Sequence, residues 1–441
     1  MSYEEALVHL NALGVDAMKK LAPSTHRIEA LCDLLNNPER NIPAIHITGT
    51  NGKTSTARIV TALLGATGLS VGTYTSPHLQ TVRERIAFNG DPISEGTFAD
   101  VFDHMKPYVD IVEAKLDDRL SYFELLTAMF FLWAAETPVD AVVVEVGMGG
   151  RWDATNVLPA SVPVITNVEL DHTSMLGESP LEIAAEKVGI VKPGATLVTA
   201  ERVPGVLSVL RQQAPDISAI GRDFDVIDNR VAFGGRYLSL RTSAATYEGL
   251  FLPMHGSHQG VNAATALEAV ARFIPGQVLA YEVAMDGLAA ARAHGRLETI
   301  HIEGDSIPLV LDVAHNPAGM SAMISGLVEA FAFERAVFVC GVLRDKDHVG
   351  VTSEIARVEG TVIATEARNS RSVPAAELAD TARSFGMQAE TSDDVASALD
   401  HARSVAGEAD LICVTGSHYV VGEARDVLLP SDAEQIQARK R

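Results

Sequence analysis

Ile45-His46-Ile47-Thr48-Gly49-Thr50-Asn51-Gly52-Lys53-Thr54-Ser55 runs from an apolar stretch into a glycine-rich turn, and Thr56 to Leu64 after it reads as a helix. A strand, a Gly-rich loop and a helix N-terminus together make a phosphate cradle: backbone N–H groups point at the anion and the helix dipole favours it. Lys53 adds a full positive charge, and the hydroxyls of Thr54 and Ser55 follow it. The string departs from the usual G-x-x-x-x-G-K-[ST] pattern, because Ile47 stands where the first glycine belongs. The bland alternative is a β-to-α turn with a surface lysine.

The rest of the chain sets limits on what surrounds that loop. At 441 residues it is too long for one ordinary core, so two or three domains are expected. A hydrophobic fraction of 47% with 21% charged residues describes a folded globular protein rather than a disordered one. The formal net charge of -22 argues against nucleic acid as a partner, while leaving room for anionic ligands in a locally basic site. Cys32, Cys340 and Cys413 are far apart in apolar surroundings, which points to reduced, buried thiols. The N-terminus lacks a signal-peptide pattern and no apolar run is long enough to span a membrane, so we expect a cytoplasmic monomer with no membrane partner.

Along the chain, Ser70–Thr75, Ala141–Gly147, Val162–Val168 and Ala195–Thr199 read as strands, with helices over Tyr122–Glu136 and from Pro180 to Ile190. Continuous apolar strands are those buried on both faces, which predicts a parallel α/β sheet. From about 222 to 255, short alternating runs predict antiparallel strands. Near His294 the pattern restarts, with strands at Pro308–Val313, Ala336–Cys340, Val362–Thr365 and Leu411–Thr415. The expected division is residues 1–293, a P-loop nucleotide domain, and 294–441, a smaller Rossmann-like domain.

Glu145 ends a buried strand, and an uncompensated carboxylate there costs several kcal/mol. A structural arginine such as Arg151, or a metal, would offset it. In parallel sheets ligands lie at the carboxyl ends of strands, and Ser76, Glu145 and the Asp171-His172 pair all fall just after strands of the same predicted sheet as the loop. Oxygen ligands there suit Mg²⁺; His172, a softer ligand, reads more often as a capped loop histidine when met alone. The glycines of Gly147-Met148-Gly149-Gly150 lack dinucleotide spacing and are expected to let a substrate approach the backbone. Lys187 reads by default as a solvated helix lysine. Asp312, His315 and Ser417 follow strands of the second half, with Asp312 and Ser417 equally readable as helix N-caps.

Taken together, TGTNGKTS (48–55), YTSPHL (74–79), RERIAFNG (83–90), SYFE (121–124), VEVGMGGRWDATN (144–156), ELDHTSMLG (169–177), AAEKVGIVKPG (184–194), HGRLE (294–298), LDVAHNP (311–317) and GVLRDKD (341–347) closely resemble the folylpolyglutamate synthase/dihydrofolate synthase family, a branch of the Mur ligases. The resemblance spans about residues 25–425. It implies an ATP-dependent ligase that adds L-glutamate to a reduced folate or dihydropteroate through an acyl phosphate. It implies that Gly49, Thr50, Asn51, Gly52, Lys53, Thr54 and Ser55 bind ATP with Asn262, Arg296 and Asp312. Ser76, Glu145 and Thr54 would hold one Mg²⁺ and His172 a second, with Lys187 carbamylated beside them. Arg83, Ser121, Tyr122, Phe123, Glu124, Trp152, Asp153 and Ala154 would face the acceptor, and His315, Asp312 and Ser417 the glutamate; Lys53, Lys187, His315 and Asp312 would take part in catalysis. Thr54 is a departure, since many members carry glycine there. Two rivals remain: a Mur-type ligase acting on a UDP-sugar peptide, and a P-loop regulatory NTPase.

Overall fold

Every residue of the strand Ala141–Glu145 is buried, as an unbroken apolar run requires of a strand covered on both faces. Its side chains alternate: Val142 and Val144 join one apolar cluster, Ala141 and Val143 another, following the two-residue period of extended backbone. The computed structural model describes residues 1–13, 24–274, 276, 278–302 and 307–429.

Eight strands build the first sheet: β1 (Ala44–Thr48), β2 (Val71–Tyr74), β3 (Ile86–Phe88), β4 (Asp91–Pro92), β5 (Ala141–Glu145), β6 (Val162–Ile165), β7 (Leu197–Thr199) and β8 (Ile217–Ala219). Their order is β4-β3-β2-β5-β1-β6-β7-β8, parallel except where β3 and β4 pair antiparallel at one edge. Helices His26–Leu34, Glu95–Leu116 and Tyr122–Glu136 cover one face; Lys53–Ala66, His258–Phe273 and Tyr281–Ala290 cover the other. Tyr122–Glu136 is capped by Ser121 and Glu124 and buried continuously from Tyr122 to Ala134, so it is a helix inside the layer rather than on its surface. The sequence reading passes over Pro204–Gln213, Tyr281–Ala290 and, longest of the three, the helix Glu95–Leu116. Its apolar positions, Phe98, Val101, Phe102, Met105, Val109 and Val112, carry a helical stripe, but Pro107 interrupts it.

The alternating runs form an antiparallel sheet of β9 (Asp225–Ala232), β10 (Gly235–Arg241) and β11 (Thr246–Leu252). A third sheet holds β12 (Glu298–Ile300), β13 (Leu309–Leu311), β14 (Ala336–Cys340), β15 (Gly360–Ala364), β16 (Gln388–Thr391) and β17 (Leu411–Thr415), ordered β12-β13-β17-β14-β15-β16. Insertion of β17 between β13 and β14 reverses the strand order there, which opens a crevice at the carboxyl ends. Cys32, Cys340 and Cys413 are buried free thiols. Among the described residues no helix is long and apolar enough to cross a membrane.

Candidate active site

The phosphate loop is held from two sides. Gly49 lies at φ +154°, where a Cβ would meet Thr166 Oγ1 at 1.8 Å, so the loop backbone packs directly on the exit of β6. Thr50 N–H donates to the Asn167 carbonyl at 2.9 Å and Asn51 N–H to Asn167 Oδ1 at 2.8 Å. The Lys53 ammonium donates to the carbonyls of Gly49 and Thr50 at 3.0 Å each. Burial pulls its pKa down, with Glu145 opposing. The cation is therefore folded over its own loop, in position to meet an anion.

Register then brings the carboxylate to the loop. Ile47 pairs with Glu145, and Glu145 shares the parity of Ala141 and Val143, which face the helix Lys53–Ala66. Glu145, 1% exposed, accepts the Thr54 hydroxyl at 2.9 Å and the Ser76 N–H at 3.2 Å. Burial pushes its carboxyl up, and Lys53, the two hydrogen bonds and Arg296 oppose that. Arg151 is not the compensating group: it is exposed and bonds the Ala185 carbonyl and Gln213. Arg296 instead arrives from the second half, donating to Thr54 Oγ1 at 3.4 Å. A buried carboxylate and two hydroxyls at the mouth of a phosphate loop fit the oxygen set that Mg²⁺ takes.

Asp312 is no helix cap, since Asn316 caps the helix Pro317–Ala330. Asp312 accepts Leu297 N–H and Ala314 N–H at 2.8 Å each, and burial lifts its carboxyl to about 6 against the pull of Arg296. Ser417 does cap a helix, His418–Leu428, accepting Val420 N–H at 3.2 Å. His315 places Nδ1 2.9 Å from the Val313 carbonyl; a carbonyl only accepts, so Nδ1 carries the proton and Nε2 a free lone pair. Burial lowers its pKa to about 4, which keeps the ring neutral.

Asp171 joins the halves, and it is the site residue the sequence reading leaves without a role. Its Oδ1 accepts Lys346 Nζ at 2.7 Å, its Oδ2 accepts Asn316 Nδ2 at 3.2 Å, and His315 Nε2 stands 3.8 Å away. Asn316 also donates to Asn51 Oδ1 of the phosphate loop at 3.2 Å. Burial would raise the Asp171 carboxyl, but Lys346, His172 and His315 outweigh it and hold it well below the usual carboxylate range. Nothing in the local sequence marks this role, because its partners lie about 145 and 175 positions away.

These groups line one cleft of about 370 Å³ between the first sheet and the last. Family models for the Mur ligase middle domain and the Mur ligase glutamate ligase domain match residues 47–270 and 295–418. A Mycobacterium tuberculosis protein named dihydrofolate synthase/folylpolyglutamate synthase is 39% identical, over 92% of this chain and 90% of that one. The chain belongs to the folylpolyglutamate synthase/dihydrofolate synthase family of Mur ligases. Mycobacterium tuberculosis folylpolyglutamate synthase, solved with ADP, superposes with a TM-score of 0.89 at 37% identity, covering 97% of this chain and 99% of that one. An Escherichia coli chain solved with DHPP and ADP has a TM-score of 0.85 at 27% identity and covers 100% of this chain and 99% of the other.

The family motifs do not all reach the cleft. The loop residues Thr50 to Ser55, with Ser76, Glu145, His172, Asn262 and Arg296, line it, as do Asp312, His315, Ser417, Phe123 and Asp153. Gly49 and Lys187 sit behind the loop: Lys187 is 3% exposed and donates to the Gly49 carbonyl at 2.9 Å. A solvated lysine is thereby overturned. Burial, then Lys53, lowers its pKa to about 7. Arg83 turns away, donating to the Ile93 carbonyl at 3.0 Å beneath the Tyr3 ring; Arg85 is the arginine on the cleft, stacked over Tyr122 at 5.4 Å. Ser121 and Glu124 form a capping box, and Glu124 takes Arg27 Nε at 3.0 Å. Tyr122 and Ala154 pack in the core, and Trp152 against the cluster around Ile183. The glycines after Glu145 are needed for packing, since a Cβ on Gly147 would meet the Phe123 ring at 2.5 Å and one on Gly150 the Lys187 carbonyl at 2.6 Å; Gly147 also lines the cleft.

Proposed function

We propose that this protein is an ATP-dependent amide ligase that joins L-glutamate to the carboxylate of a reduced folate, of dihydropteroate, or of both. Residues 1–293 would carry the nucleotide and the acceptor, and 294–441 the glutamate. One observation carries the reading: Arg296 of the second half reaches Thr54 of the phosphate loop, while Asp171 of the first half holds Lys346 of the second. In this reading a nucleotide end and an amino-acid end share one cleft.

In this reading the acceptor carboxylate attacks the γ-phosphorus of ATP, the bond to the β-phosphate oxygen breaks, and ADP leaves. The glutamate amine then attacks the acyl carbon, losing a proton, and inorganic phosphate departs. Lys53 and Arg296 neutralise charge on the transferred phosphoryl group, and the aligned loop N–H groups hold the remaining phosphates. Asn262, which accompanies Gln259 at 2.9 Å beside Gly52, and Asp312 would orient the nucleoside. The free Nε2 of His315 would take the amine's proton. Closure between the halves excludes water from a mixed anhydride that hydrolyses readily. Mg²⁺, held by Glu145, Thr54 and Ser76 and at a second position by the neutral His172, would supply charge neutralisation on the phosphates. Lys187 would be carbamylated; a pKa brought to about 7 leaves much of the amine unprotonated, the form that combines with CO₂.

The test compares phosphate release with dihydropteroate and with a reduced folate, each with and without glutamate. Release requiring both acceptor and glutamate supports the ligase and identifies the acceptor. Release indifferent to both would establish the regulatory NTPase, and release with a UDP-sugar peptide the other Mur-type activity.

A further inference from the structure

A buried hydrogen-bond chain runs from the middle of β1 to the cleft, and the nucleotide chemistry leaves it unused. His46 and Thr155 are wholly buried, with His46 Nε2 2.8 Å from Thr155 Oγ1. The Thr155 hydroxyl lies 2.5 Å from Asp153 Oδ1, which also accepts Thr155 N–H at 3.0 Å. Asp153 Oδ2 accepts Met148 N–H at 3.0 Å. Asp153 is 2% exposed, yet it borders the cleft.

Counting protons settles the direction of the chain. A threonine hydroxyl has one hydrogen to give, and a short contact to a carboxylate takes it. The imidazole must then be the donor to Thr155, through Nε2–H. The other nitrogen agrees, since His46 Nδ1 is buried with no hydrogen-bond partner among the described residues, as a bare lone pair can be and an N–H would rarely be. Burial holds the ring neutral, with a pKa near 3. Asp153 also caps the short turn Ala154–Val157. A turn cap requires the Thr155 N–H contact, but neither a hydroxyl nor a buried imidazole behind it.

Resting on the ligase reading above, we propose that His46 and Thr155 are positioning residues: they fix the Asp153 carboxylate in one orientation as an ionised hydrogen-bond acceptor for the ring system of the acceptor substrate. Asp153 touches the substrate; His46 and Thr155 act through it. The chain is separate from the phosphate loop's own bonds, although both share β1, so damage to it falls on the acceptor and spares ATP.

The experiment uses the full-length enzyme with ATP, glutamate and whichever of dihydropteroate or reduced folate the wild type turns over. Thr155→Val keeps the shape and removes the hydroxyl. Its KM for the acceptor should rise about tenfold or more, the size expected for a hydrogen bond to a charged group, with KM for ATP within about twofold of wild type. Thr155→Ser should restore most of the loss, and thermal melts verify folding. If Thr155→Val does not fold, His46→Gln, whose amide N–H can replace Nε2–H, is compared with His46→Leu: the glutamine variant should stay within about threefold of wild-type acceptor KM and the leucine variant should not. An acceptor KM unchanged in Thr155→Val, a parallel rise in the KM of ATP, or no difference between serine and valine overturns the inference. A wild type whose phosphate release ignores every acceptor overturns the ligase reading itself, a distinguishable result.

Discussion

At the carboxyl edge of the first sheet, Lys53 is held by carbonyls of its own loop; at the corresponding edge of the last sheet, Lys346 is held by Asp171, a residue of the first half. The first arrangement is local. Its donors and acceptors lie within four positions, so the loop organises its charge wherever the strand–loop–helix forms. The second exists only while the halves are together, because Lys346 has 9% exposed side chain and its carboxylate comes from across the cleft. The difference teaches which part of the site stands alone and which needs both halves. The loop lysine is held within one motif, whereas the Lys346–Asp171 contact is tied to assembly of the cleft.

The most severe break in that comparison is Lys53→Ala, which removes the locally held cation. ATP-dependent phosphate release in the presence of acceptor and glutamate should fall by about 10³-fold, and near-normal release would remove the loop from the nucleotide site. Lys187→Ala should cost on the order of 10²-fold in turnover, and depleting bicarbonate should slow the wild type; indifference to both would leave Lys187 as a brace for the Gly49 carbonyl. Glu145→Gln keeps the shape and loses the charge, so half-maximal activity should need roughly tenfold more Mg²⁺. An unchanged requirement would return Glu145 to a structural role.

Asp171→Asn addresses the other edge. Positioning of Lys346 and Asn316 would loosen, and kcat/KM for glutamate should drop about tenfold to a hundredfold while nucleotide binding, read by ADP titration, changes little. Equal losses for both would mean the clasp supports the phosphate loop as well. The smallest effect concerns another contact between the halves. Arg425 bonds Glu298, and its Nε donates to Gln80 Oε1 at 3.0 Å. Burial would raise the Glu298 carboxyl, but His294 and Arg425 outweigh it and bring it down to about 2. A depressed folded pKa stabilises above the unfolded value of about 4.3, and that contribution is lost as pH falls from about 5 toward 2. Glu298→Gln should therefore lower stability at neutral pH by roughly 1–2 kcal/mol and flatten the acid limb of unfolding, measured by denaturant titration at pH 7 and pH 3.

Much of this molecule was determined by its sequence alone. Apolar runs buried on both faces marked most strands of the two parallel sheets, since a doubly covered strand has little room for polar residues. The loop from Thr48 to Ser55 announced phosphate, because glycines, N–H groups and a lysine at that spacing act over a few bonds. Edge strands β12 and β16 escaped, being short and half solvated, and so did the helix interrupted by Pro107. Tertiary structure alone decided which of two arginines in RERIAFNG meets the cleft, and that Ser121 and Glu124 are committed to a helix cap and Arg27. It alone showed Glu145 offset by Lys53 and by bonds from Thr54 and Ser76 instead of by Arg151, and Asp171 gathering Lys346 and Asn316 from the far half. The physical reason is range. Propensity, caps and loop geometry are set by neighbours in the chain, whereas the environment of a buried charge is set by groups that only the folded cleft brings together.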